Sequence, residues 1–119
     1  MAAQNRTGID RLFAATSNFL VGIRSTWWHE EAFRQEVFIF LLAVPVGFWL
    51  GSDRVERALL IGSVALILIV ELINSAVEAT VDRIGLEHHE LSGRAKDAVS
   101  AAVLLTILLA GVIWLSVLL

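Results

Sequence analysis

Residues 71–81 read Glu71-Leu72-Ile73-Asn74-Ser75-Ala76-Val77-Glu78-Ala79-Thr80-Val81. No glycine or proline interrupts them, so a helix that enters this stretch has nothing to stop it. Residues 58–70, just before, carry no charge. Alone they are too short to cross a hydrocarbon core about 30 Å thick at about 1.5 Å per residue. They suffice if the helix runs on through Glu71 and Glu78 to about Val81. The stretch therefore predicts a membrane span that carries two acids below the membrane surface.

The rest of the chain agrees with a membrane setting. Of its 119 residues, 57% are hydrophobic and 18% charged, against about 25% charged in soluble proteins. Its mean hydropathy is +0.76. A chain of this length makes one domain, here residues 1–119, and a small soluble domain would need far more polar surface. Nine basic and twelve acidic residues give a net charge of −3. That excludes the basic stripe of a nucleic-acid binder, so no nucleic-acid partner is expected. Without cysteine there is no disulfide, thiolate metal site or thiol catalysis. The first six residues have no apolar core, so they are not expected to act as a signal peptide.

Two further charge-free stretches, residues 37–52 and 98–119, predict two more spans. Gly51-Ser52-Asp53 ends the first span, Asp53 with Glu56 resembles an N-terminal cap for the second, Gly85 closes it, and Ser92-Gly93 starts the third. The expected spans are 31–51, 54–82 and 94–119. Pro45 lies inside the first, which membrane helices tolerate. Gly47 and Gly51 have the spacing of a small-residue packing motif. In the first 35 residues, Ile9, Leu12, Phe13, Leu20, Ile23 and Trp27 fall within about 50° of one line on a helix of about 100° per residue. Residues 7–28 are thus expected to form an amphipathic helix on the membrane surface, with Trp27 and Trp28 at headgroup level. The predicted fold is an all-α membrane protein with three spans and this surface helix. Arg6, Arg11, Arg24 and Arg34, with Arg83, Arg94 and Lys96, outnumber Arg54 and Arg57. This places the N-terminus and the second loop in the cytoplasm.

On the second span, with Glu71 at zero, Asn74 lies near about −60°, Ser75 near about +40°, Glu78 near about −20° and Asp82 near about +20°. One face therefore carries three acids, an amide and a hydroxyl, while the others are apolar. An ionised acid facing lipid costs about 2.5–3.5 kcal/mol on insertion scales. The face must line a bundle interior or a watery cleft. A polar seam also holds helices together, but two neighbouring carboxylates repel unless a cation or a proton intervenes. Glu30, Glu31, Arg34, Gln35 and Glu36 cluster at the start of the first span. Glu87, His88, His89 and Glu90 follow Gly85, and Lys96-Asp97 opens the third span. Carboxylates that hold Mg²⁺ and basic groups that hold phosphate thus share one membrane level. The motifs GxxxxGK[ST], GxGxxG and HExxH are absent.

Residues 71–85 followed by Glu87-His-His-Glu-Leu-Ser-Gly-Arg-Ala-Lys-Asp97, together with Glu30-Glu-Ala-Phe-Arg-Gln-Glu36, resemble the bacterial integral-membrane diacylglycerol kinase family over residues 7–119. The resemblance implies a homotrimer in the bacterial inner membrane, with active sites shared between subunits. It implies phosphoryl transfer from MgATP to diacylglycerol, giving phosphatidic acid. By position, Glu71 matches the catalytic base, and Glu30 and Glu78 match the acids that hold Mg²⁺ with ATP. Lys96 and Asp97 match phosphate contacts, and Glu87, His88 and His89 match the adenosine side. Arg11 and Asn74 match polar residues near the γ-phosphate and the lipid headgroup. Arg24, Trp27, Gln35, Glu36, Trp49 and Ser100 fall, with Arg11 and Glu71, where the family lines its lipid site. Asn18 falls on the nucleotide side, where the best-known member has a tyrosine. Val21 stands in place of a lysine, His29 of an asparagine and His88 of a tyrosine. A related branch phosphorylates undecaprenol, but the Asn74-Ser75-Ala76 and Ser92-Gly93-Arg94 wording is closer to the diacylglycerol branch. Two other functions fit the acids alone: a proton or ion conduit through Glu71, Glu78 and Asp82, and a non-catalytic scaffold.

Overall fold

The computed structural model describes residues 7–85, 87 and 89–119. Four helices account for nearly all of them: α1 (Gly8–His29), α2 (Glu31–Leu50), α3 (Arg54–Ile84) and α4 (Glu90–Leu118). No strand occurs among the described residues. The helices α2, α3 and α4 are long and apolar enough to cross a membrane. Arg6 lies outside the described residues.

Local chemistry sets the helix ends. Thr7 caps α1: its Oγ1 accepts from Asp10 N at 3.3 Å, and Asp10 Oδ2 accepts from Thr7 N at 3.4 Å. This reciprocal box satisfies two backbone donors that a helix start leaves free. The helix α3 starts likewise, with Asp53 Oδ1 accepting from Glu56 N at 2.8 Å. It then runs 31 residues without interruption through Glu71 and Glu78, as the unbroken stretch at 71–81 predicts. The helix α4 starts at Glu90, ahead of the expected Ser92–Gly93. His89 is the reason: its Nδ1 accepts from Leu91 N at 3.0 Å, and its carbonyl accepts from Gly93 N. A histidine side chain thus does the work expected of serine.

The helix α3 is central and packs on both α2 and α4, while α1 touches α2 and α3. Phe33 and Leu60 are fully buried, and Val64, Val81, Val99 and Ala110 are buried as well, spread along the bundle. Gly47 allows a close α2–α3 approach, since a Cβ there would meet Ile61 Cγ1 at 3.0 Å. Across α3 and α4, Trp114 Nε1 donates to Leu60 O at 3.1 Å and to Ser63 Oγ at 3.2 Å. At the other end, Arg34 Nη1 donates to Trp27 O at 2.6 Å, and Trp27 packs on Phe38 with ring centroids 6.0 Å apart. These contacts hold the end of α1 to the start of α2, beside the acidic face of α3.

Candidate active site

The polar face of α3 grades from dry to wet. Glu71 is 4% exposed, Asn74 is buried, Ser75 and Glu78 are half-buried, and Asp82 is exposed. Asn74 Nδ2 donates to Glu71 Oε1 at 3.3 Å and to Glu78 Oε1 at 3.4 Å. One amide thus bridges two acids a helical turn apart on each side. A buried carboxylate is tolerated only with such partners, because desolvation disfavours its charge.

Two acids from outside α3 complete the cluster. Glu30, at the α1–α2 junction, lies close enough to Glu78, Glu71 and Ser75 for its carboxyl to feel all three. Burial, then the charges of Glu78 and Glu71, holds the Glu30 carboxyl above the usual carboxylate range, against the opposing effect of Ser75. Glu36, in the second turn of α2, interacts with the charge of Glu71. Its Oε2 is buried without a hydrogen-bond partner. Four acids from three segments therefore gather, and among the described residues no basic group forms an ion pair with them; the ion pair found there is Lys96–Asp82.

That pair marks the wet end, with Lys96 Nζ 2.9 Å from Asp82 Oδ1. Beside it a cavity of about 210 Å³ is lined by Asp82, Gly85, Glu87, His89, Ser92 and Lys96, among others. Among the nucleotide-side residues expected from the sequence, it brings together Glu87, His89 and Lys96. Asp97 is exposed next to Lys96, and His88 lies outside the described residues. Asn18 lines a groove of about 410 Å³ between α1 and α3, shared with Gly22, Ser25, Thr26 and Ser75. Gln35 and Glu36 lie at one end of an apolar groove of about 380 Å³ between α2, α3 and α4, with Trp114 among its lining.

Other expected contacts stand apart. Arg11 and Arg24 are exposed on α1, and their side chains make no hydrogen bond among the described residues. Trp49 is 81% exposed near the far end of α2, about 20 Å along the helix from Glu36. Ser100 is exposed on α4, one turn from Lys96. Conversely, Ser75 beside Glu30 and Asp82 beside Lys96 belong to the constellation without having been expected as contacts. Their helical angles, on the Glu71 face, were the available signal.

Among the described residues no three His, Cys, Asp or Glu side chains form a ready metal cage. Glu30 and Glu78 nonetheless fit Mg²⁺, which is held by one or two carboxylates plus substrate phosphates. Their mutual repulsion is what a divalent cation relieves.

The family model for prokaryotic diacylglycerol kinase matches residues 17–118. The chain is 54% identical to the diacylglycerol kinase of Escherichia coli (strain K12), covering 94% of this chain and 92% of that one. It is 46% identical to the diacylglycerol kinase of Haemophilus influenzae over 91% of this chain and 92% of that one. It is also 46% identical to that of Pseudomonas aeruginosa over 98% and 94%.

Proposed function

The chain belongs to the prokaryotic diacylglycerol kinase family, and on that premise we propose that it transfers the γ-phosphate of ATP to the hydroxyl of diacylglycerol, giving phosphatidic acid. The observation that carries the proposal is the graded acidic face of α3. Its dry end is Glu71, 4% exposed, and its wet end borders the Lys96 cavity; on this reading the lipid hydroxyl meets Glu71 and the nucleotide enters at the wet end.

Phosphoryl transfer asks for positioning and charge neutralisation more than for covalent chemistry by the protein. Glu71 accepts the hydroxyl proton as the new lipid O–P bond forms and the bond to ADP breaks. Asn74 orients Glu71 through its Nδ2 contact and shares that amide with Glu78. Glu30 and Glu78 are the residues that hold Mg²⁺ with the nucleotide. Bound there, Mg²⁺ neutralises charge on the phosphate oxygens. Lys96 holds phosphate at the wet end, with Asp97 beside it. Glu87 and His89 face the nucleoside, as does His88 by position. Gln35, Glu36 and the groove they open take the lipid.

Exposed Ile9, Leu12, Phe13 and Leu20 support a position for α1 on the membrane surface; the excess of basic residues in the N-terminal segment and the second loop supports a cytoplasmic N-terminus, and the family resemblance supports the bacterial inner membrane. By family resemblance the assembly is a homotrimer, in which Trp49, Arg11 and Arg24, apart from the acids of their own chain, would serve a neighbouring subunit's site. A conduit has less support: α3 carries no charged residue between Arg57 and Glu71, so the acids stop partway along it.

The test is transfer of labelled γ-phosphate in mixed micelles, with diacylglycerol and undecaprenol as parallel acceptors. Mg²⁺-dependent labelling of diacylglycerol is expected. Preferential labelling of undecaprenol would assign the chain to the other branch, and labelling of neither would overturn the kinase proposal.

A further inference from the structure

The turn between α2 and α3, at the end of the bundle opposite Glu30 and Glu78, holds two arginines that phosphoryl transfer does not use. The acids next to them are engaged with backbone. Asp53 Oδ1 accepts from Glu56 N at 2.8 Å, and Glu56 Oε1 accepts from Ser52 N at 2.9 Å. Among the described residues neither Arg54 nor Arg57 has a carboxylate within salt-bridge distance. Arg57 is fixed in place: its Nε donates to Phe48 O at 3.2 Å. A Cβ at Gly51 would meet its Cγ at 2.6 Å, so only glycine lets this side chain fold over the end of α2.

Phe48, Arg54, Arg57, Ala58, Ile61 and Gly62 line an open groove of about 590 Å³. Its rim is doubly cationic and its floor apolar. Gly62 leaves open space where a side chain would project. We propose that this groove binds an anionic phospholipid of the leaflet opposite the active site, with its phosphate on Arg54 and Arg57 and its acyl chain along Phe48, Ala58, Ile61 and Gly62. The chemistry selects the ligand. A soluble anion has no use for the apolar floor, and a zwitterionic lipid brings its own cation to a rim already positive. An anionic headgroup supplies the charge that Asp53 and Glu56 withhold, and Arg suits phosphate through its planar donors. The proposal rests on the membrane-spanning fold and not on the kinase activity.

The test uses the full chain in detergent with equal phosphatidylglycerol and phosphatidylcholine of matched acyl chains. Native mass spectrometry counts each lipid retained per protein chain. The wild type is expected to retain phosphatidylglycerol preferentially. Arg54→Gln is expected to lower that retention about fivefold, and Arg54→Gln/Arg57→Gln by about a further fivefold. Among the described residues the Arg54 side chain makes no hydrogen bond or ion pair, so its single variant stays informative if loss of Arg57 disturbs the turn. Gly62→Leu, which fills the groove without changing charge, is expected to release the same lipid. Equal retention of the two lipids, or undiminished phosphatidylglycerol in the double variant, would overturn the proposal. So would a changed number of chains per particle in that variant, which would make the groove an interface between copies.

Discussion

The two ends of the bundle treat their polar groups in opposite ways. At the α2–α3 turn and around Trp114, polar groups are largely engaged in holding structure. Asp53 and Glu56 cap α3, Arg57 covers the end of α2, and the indole N–H joins α4 to Leu60 and Ser63 of α3. At the other end, Glu30, Glu36, Glu71 and Glu78 are gathered against their own repulsion, and a Glu36 oxygen is buried without a partner. Such an arrangement lowers stability, and it persists where ligands supply the missing charge. On the proposed function, the difference separates the end that holds the helices from the end that would do chemistry.

The largest expected effect falls at the dry end. Glu71→Gln keeps the shape and removes the base, and is expected to lower kcat by about 10²–10⁴. Turnover near the wild-type level in a phosphate-transfer assay would remove Glu71 from that role. Glu78→Gln is expected to cost about 10–100-fold in apparent Mg²⁺ affinity, measured by metal titration of activity. Retained affinity would move the metal elsewhere.

Glu30 makes the division sensitive to pH. Its folded carboxyl is held above the ordinary range, chiefly by burial and then by Glu78 and Glu71. Its neutral form is therefore favoured in the fold. The stability linked to it is fully present below the ordinary carboxylate range and is lost as pH rises through the raised value. Mg²⁺ competes with that proton, so apparent Mg²⁺ affinity is expected to weaken as pH falls into the raised range. Glu30→Gln should flatten this dependence. Metal titrations at several pH values that show the same slope in both proteins would contradict it. The smallest effect belongs to the opposite end. Trp114→Phe is expected to lower stability by about 0.6–1.7 kcal/mol through the lost helix–helix hydrogen bonds, with kcat unchanged for the folded fraction. A fall in kcat without a fall in the unfolding midpoint would break the comparison.

Much of the acidic end is legible in the chain itself. The helical spacing of Glu71, Asn74, Ser75, Glu78 and Asp82 places them on one face before any packing is known, and the unbroken α3 delivers that face. What spacing cannot show is which partner each group finds across helices. Trp114 meets Leu60 from 54 positions away, and Glu36 comes near enough to Glu71 across the α2–α3 interface to feel its charge, because tertiary packing sets both. The start of α4 was missed for a local reason: His89 caps it where Ser92 has the commoner capping side chain. Trp49 lies far from the acids of its own chain, which a position matched by family resemblance alone does not reveal.

The central claim is that the acidic cluster is held for chemistry at the expense of stability. It is tested most directly by the thermal unfolding midpoint of metal-free Glu71→Gln, measured on a preparation whose turnover is already known. Removing one of four gathered charges while keeping a side chain that Asn74 can still bond predicts a midpoint equal to or above the wild type, alongside lost turnover. A midpoint that falls together with turnover would show that Glu71 holds the bundle together, and would contradict the account.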